Sequence, residues 1–87
     1  DRETEAVFNQ DGPTHFPPEI IRPALRKLFV LDGAQTLGDL AEANGNRLER
    51  LRGDRDGQHS IRINNQWRIC FVWSEEGVFD VEIADYH

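Results

Sequence analysis

The chain has 87 residues, 16 of them acidic and 10 basic, for a formal net charge of −6. A single domain spanning residues 1–87 is expected, and a chain this short buries only about 60–65% of the surface it would expose unfolded. No apolar run approaches the roughly 18 residues of a membrane span, the start lacks a basic-then-apolar signal pattern, and Cys70, the one cysteine, excludes an internal disulfide.

The first half reads as helical. Asp1 to Asn9 is a short amphipathic piece carrying Ala6, Val7 and Phe8, and Gly12-Pro13 and Pro17 break it. Pro18 suits a first helical position. Ile21, Ala24, Leu25, Leu28 and Leu31 then form a broad apolar stripe at helical spacing, with Asp32-Gly33 as the stop. Pro23 conflicts with this stripe, because it removes a backbone donor and is expected to kink the helix or delay its start. Thr36 to Leu40 reads as a capped helical turn, Thr36 being the cap and Asp39 its partner three residues on. A loop follows at Ala43 to Asn46, and the chain has no methionine, which reads as a start lying upstream.

The second half reads as strands. Arg47 to Leu51 is extended, with a bulge or strand end expected near Glu49 because Leu48 and Leu51 are out of phase. Gln58 to Asn64 alternates, with Ile61 and Ile63 on one face and Ser60 and Arg62 on the other. Asn64-Asn65 can adopt positive φ and turn a tight hairpin. Trp67, Ile69, Phe71 and Trp73 make the strongest alternating stripe, with Arg68, Cys70 and Val72 pointing the other way. After a turn at Glu75-Glu76-Gly77, Val78 to Ala84 closes the sheet, with Phe79, Val81 and Ile83 in phase. The order predicts an α+β fold: two helices packed on one face of a small antiparallel sheet, against the Trp67 stripe. Arg68 is then expected on the opposite, open face.

Charge is unevenly distributed. Arg47 to Arg68 holds six of the ten basic residues against three acids, while Ile69 onward has five acids and no Lys or Arg. A cationic stripe on an acidic body is the minimum footprint of a polyanion-binding surface. A solvated strand face explains it equally well. Cys70 in an apolar strand reads as a small hydrophobe and fits a cytoplasmic protein. One cysteine and three scattered histidines show no metal-ligand spacing, so neither a metal nor another cofactor is expected.

Cutting RNA through its 2′-hydroxyl needs a base, cations for the phosphate, an acid for the leaving oxygen and a group that orients the nucleotide. Glu49 is a candidate base. Arg68 and Arg52 can donate paired hydrogen bonds to phosphate oxygens, and Arg47, Arg50 and Arg62 are further cations for the strand. His87 titrates near neutral pH and suits the acid, and Tyr86 can stack on a base. Each also has a bland reading: Glu49 as a surface ion pair, Arg68 as a snorkelling strand residue, His87 as an idle chain end. His59 shares a face with Ile61 and Ile63 and reads as core-edge packing.

The stretch Asn46 to His87 carries Arg47-Leu48-Glu49, Leu51-x-Gly53, Gly57-x-x-Ser60-Ile61, Asn65-x-Trp67-Arg68-Ile69 and a closing Asp85-Tyr86-His87. In these elements it resembles the HigB toxin family, within the RelE/ParE-like group of bacterial toxins. The resemblance implies a RelE-like fold and a metal-independent endoribonuclease that cuts translated mRNA on the ribosome. It also implies a helix-turn-helix antitoxin of the HigA type as partner. Arg68 matches the family's strand arginine, and Asp85, Tyr86 and His87 match its closing triplet. Glu49 stands where some members have His and related toxins have Glu, and Arg52 where Lys is common. Arginine keeps its proton, so Arg52 stabilises charge and cannot serve as the acid. The alternative within the same fold is a ParE-type toxin that poisons DNA gyrase without cutting RNA.

Overall fold

In the computed structural model of the chain, residues 2–9, 15–42 and 45–85 are described, with side chains from residue 4 onward. Helices α1 (Arg2–Asn9), α2 (Pro18–Gly33) and α3 (Leu37–Glu42) precede strands β1 (Glu49–Arg50), β2 (His59–Arg62), β3 (Trp67–Ser74) and β4 (Gly77–Asp85). The strands form one antiparallel sheet in the order β1-β2-β3-β4. This is the α+β arrangement expected from the sequence, with a third short helix where a capped turn was predicted.

Local chemistry explains the helix boundaries. Pro18 opens α2, and Ala34 N–H closes it on the Leu31 carbonyl at 3.3 Å. Pro23 lies inside α2 without delaying its start. The acceptor deprived of its donor four residues back is the carbonyl of Glu19, an exposed residue in the first turn that water can reach. The start of α3 is a reciprocal cap: Asp39 N–H donates to Thr36 Oγ1 at 3.1 Å. Asp39 Oδ2 in turn accepts from the amides of Gln35 at 2.9 Å and Thr36 at 3.1 Å.

The core lies between the helices and one sheet face. Val7, Ile20, Ala24, Leu28, Leu31 and Leu40 meet Ile61, Ile69, Phe71 and Ile83. Of the predicted aromatic stripe, Ile69 and Phe71 are fully buried, whereas Trp67 and Trp73 are half-buried at its ends. Trp67 meets Phe16 edge-on with ring centroids 5.8 Å apart, and His59 stacks on Phe71.

Three strand details depart from the sequence reading. First, β1 is only Glu49–Arg50, because Arg47 takes the left-handed conformation (φ 46°) and cannot continue a strand. Second, the β2–β3 turn uses no positive φ at Asn64 or Asn65. Instead Asn64 Oδ1 accepts from the amides of Gln66 and Trp67, both at 2.8 Å, so a side chain makes the turn. Third, β4 carries a bulge. Cys70 pairs with Glu82 but Val72 pairs with Phe79, which leaves one extra residue in β4, and Asp80 there has φ 54°. The bulge breaks the alternation, so Phe79 shares the Val72 face and is 49% exposed while Val81 stays against the core.

Two expectations follow. Phe71→Ala, which empties a fully buried site, lowers stability by about 3–5 kcal/mol, and the half-buried Trp67→Ala costs less; urea denaturation midpoints of the two variants rank them. The backbone amides of Gln35 and then Thr36 hold the Asp39 carboxyl below its usual range. Its stabilisation is therefore present above the ordinary carboxylate pKa and is lost as pH falls through the depressed folded-state value. Asp39→Ala is expected to melt lower than the parent at neutral pH, with the gap closing in acid.

Candidate active site

The face of the sheet turned away from the helices carries Glu49, Ser60, Arg62, Arg68, Cys70, Glu82 and Ala84, as the register Glu49↔Ser60↔Cys70↔Glu82 and Arg62↔Arg68↔Ala84 requires. It is less open than expected. Leu51 is buried against Cys70 and Ala84, which folds the chain after β1 over this face. Arg55 in the 3₁₀ turn (Gly53–Arg55) then reaches Glu82 on β4 at 3.0 Å and Gln58 at 3.2 Å.

Arg68 ends up 9% exposed on the floor beneath that segment. Its Nε donates to Ser60 Oγ at 2.7 Å. Its Nη2 donates to the carbonyls of Arg47 and of Ser60, the latter at 3.3 Å. Nη1 faces the Glu49 carboxylate at 3.8 Å. That separation exceeds hydrogen-bonding distance, so the pair is loose and Nη1 can be given to another anion. The Glu49 side chain is 61% exposed and can turn. The result is a guanidinium fixed on two edges, with its third edge beside an exposed carboxylate.

The other sequence-predicted residues are placed as follows. Arg47 and Arg52 are exposed on either side of β1, and Arg52 follows the buried Leu51 onto the rim. Arg62 is the register partner of Arg68 and donates to Asn65 Oδ1. Arg50 pairs with His59, so alternation turns it to the helix side, away from Arg68. Asp85 pairs with Trp67, also on the helix side, and accepts from Gln66 Nε2 at 3.1 and 3.2 Å. Tyr86 and His87 lie outside the described residues. Among the described residues no group of three or more His, Cys, Asp or Glu side chains comes together as a metal site.

Two contributors escaped the sequence reading. Ser60 orients Arg68; the available signal was its phase with the strand arginine in an alternating segment. Asn46 is 1% exposed and holds the segment leading into β1, with Nδ2 donating to the Leu40 carbonyl at 3.1 Å and its own carbonyl accepting from Arg62 N–H at 2.6 Å. No periodicity marks a buried loop asparagine.

Comparison with known proteins identifies the family. The profile of the HigB-like toxins, described as the RelE-like toxin of type II toxin-antitoxin system HigB, matches residues 2–87. The toxin HigB-1 of Vibrio cholerae is 42% identical over 74 residues, covering 84% of this chain and 78% of that protein. A Haemophilus influenzae protein without an assigned function is 30% identical over 73 residues, covering 82% and 72% of the two chains. The endoribonuclease HigB of Proteus vulgaris is 27% identical over 81 residues, covering 93% and 87%. The chain belongs to the HigB-like toxin family.

The Arg68 geometry makes Ser60 testable. Ser60→Ala removes the acceptor of a buried charged N–H, a loss of about 1–3 kcal/mol. Chemical denaturation is expected to show that loss, while Ser60→Cys, which keeps a weak acceptor, falls between the two.

Proposed function

We propose that this member of the HigB-like toxin family is a metal-independent endoribonuclease that cuts mRNA engaged by the ribosome and so arrests translation in the cytoplasm. A HigA-type helix-turn-helix antitoxin neutralises it. The observation that carries this reading is the Arg68 guanidinium, held through Nε and Nη2 with Nη1 left beside Glu49. A preplaced cation needs no reorganisation when charge builds on a phosphate, which is often the largest catalytic contribution. The Proteus vulgaris relative, named as an endoribonuclease, supports the same chemistry.

In this reading Glu49 takes the proton of the 2′-hydroxyl as that oxygen attacks phosphorus. Arg68 Nη1, with Arg52 from the rim, stabilises the non-bridging oxygens. His87 protonates the departing 5′-oxygen, which leaves a cyclic phosphate and a free hydroxyl. Ala84 is paired with Arg68, so the strand that leads to Tyr86 and His87 runs beside the Arg68 backbone, one strand spacing of about 4.8 Å away. Asp85, bonded to Gln66, anchors that end. Tyr86 stacks on a base, and Arg47 and Arg62 meet flanking phosphates; Arg50, turned to the helix side, is left out of this set. A net charge of −6 disfavours free RNA, whereas the ribosome presents its message already oriented. The gyrase-poisoning alternative draws no support from the family match.

Single-turnover cleavage on programmed ribosomes tests the reading. His87→Ala is expected to lose about 10²–10⁴-fold, the range for acid–base catalysis. Arg68→Ala abolishes cutting, and Glu49→Gln slows it, each variant being checked first for folding. The same message without ribosomes is cut poorly. Equal rates on both would mean a general nuclease, and gyrase inhibition without any cutting would restore the ParE-type reading.

A further inference from the structure

Lys27, which the catalytic reading does not use, joins the cations at one edge of the sheet. Asn46 ties three elements together there. Its Oδ1 accepts from Lys27 Nζ of α2, and its carbonyl accepts from Arg62 N–H at the end of β2. The next residue, Arg47, gives its carbonyl to Arg68. Two consecutive residues thus join Lys27, Arg62 and Arg68 to one short segment that itself bears the exposed Arg47. Lys27 comes from the helix layer and Arg62 from the opposite sheet face, so the two reach the edge from opposite sides.

Nothing described neutralises them. Among the described residues neither Lys27, Arg47 nor Arg62 pairs with a carboxylate, and Glu49 alone stands near, beside Arg68. Burial, and after it the charges of Arg26 and Arg62, hold the Lys27 amine below its usual range. Among the described residues no carboxylate other than Glu49 comes within ion-pair distance of this set, which leaves the like charges at an electrostatic cost. A bound polyanion removes that cost.

Lys27 stands on the helix layer and Arg62 and Arg68 on the opposite sheet face, with Asn46 and Arg47 between them. Cations on both sides of an edge suit an anion that repeats along a strand. We propose that Lys27 is a backbone contact for the RNA strand, which leaves Arg68, crosses the edge beside Arg47 and Arg62, and continues onto α2. This rests on the RNA-cutting reading of the Arg68 site. Lys27 then contributes affinity and strand orientation without base preference, because phosphate contacts position a strand and carry no sequence information.

Lys27 is the one lysine in the chain, which gives a direct test. A short single-stranded oligoribonucleotide with 2′-methoxy groups binds without being cut. Its affinity is measured against salt concentration for the parent, Lys27→Gln, Arg62→Gln, Arg68→Gln and Arg22→Gln, the last an equal charge change elsewhere on α2. Each lost phosphate contact on a single strand lowers the log–log salt slope by about 0.7. Lys27→Gln and Arg62→Gln are expected to show that drop, Lys27→Arg to keep the parental slope, and Arg22→Gln to leave it unchanged. Acylation of Lys27 in the parent protein, read by mass spectrometry, is expected to slow when the oligonucleotide is bound. This readout stands even if Lys27→Gln fails to fold. Unchanged acylation at saturation, or a parental slope in Lys27→Gln alongside a reduced slope in Arg68→Gln, overturns the path over α2 and leaves the Arg68 site intact. No salt-dependent binding by the parent, or an unaltered slope in Arg68→Gln, overturns the path over α2, while the RNA-cutting reading stands or falls on the cleavage assay with programmed ribosomes.

Discussion

A cation buried against the sheet, the guanidinium of Arg68, is the constraint around which the outer face of this domain is arranged. A charge taken out of water is tolerated only when its donors find acceptors. Arg68 finds them in the Ser60 hydroxyl and carbonyl and in the Arg47 carbonyl. The last of these has a local cost. Arg47 adopts φ 46°, a region that disfavours a side chain by about 1–2 kcal/mol. The contact with a charged donor offsets that strain and fixes where β1 begins. Glu49 is thereby set two residues further on, facing the one edge of the guanidinium that the fold leaves available.

The helix layer supports this face from below and at its rim. Ile69 and Phe71, alternating with Arg68 and Cys70 along β3, anchor the strand in the main core. On the other side Leu51, Cys70 and Ala84 form a small apolar patch that holds the β1–β2 connection down. Both faces of β3 are therefore buried, one by helices and one by a single folded-over segment. At the rim, β1 has only two residues and could not hold its position by ladder bonds alone. Asn46 supplies the rest, bonding α2, the end of α3 and β2 from one buried position.

This arrangement reconciles an acidic protein with a cationic working surface. All but three of the acids lie outside the Arg47–Arg68 block, and the fold brings acid and cation together at particular pairs. Arg55 is withdrawn from the cationic set by Glu82 at 3.0 Å, whereas Arg68 is only loosely opposed by Glu49. Surface charges separated by more than about 8–10 Å are largely screened at physiological salt. Local charge therefore governs what this face attracts, and the net value governs how weakly the domain holds polyanions elsewhere.

Residue order by itself determined much of this. Proline, glycine and Thr36–Asp39 marked the helix limits, because capping and φ restriction act within a few residues. The alternation of Trp67, Ile69, Phe71 and Trp73 marked β3, since successive side chains of a strand point to opposite faces. The Arg47 to Arg68 charge block and the motifs resembling the HigB toxins marked the stretch that carries the proposed site. Tertiary structure decided the rest. The Asp80 bulge sent Phe79 to the wrong face for simple alternation, because an extra residue in one strand is invisible until its partner is known. The shortness of β1 followed from the Arg68–Arg47 contact, which spans 21 residues. The two roles of Arg55 and Arg68, one cation consumed and one kept available, depend on which acids lie across the sheet. Pairings of that kind are set by long-range register, and no local pattern encodes them.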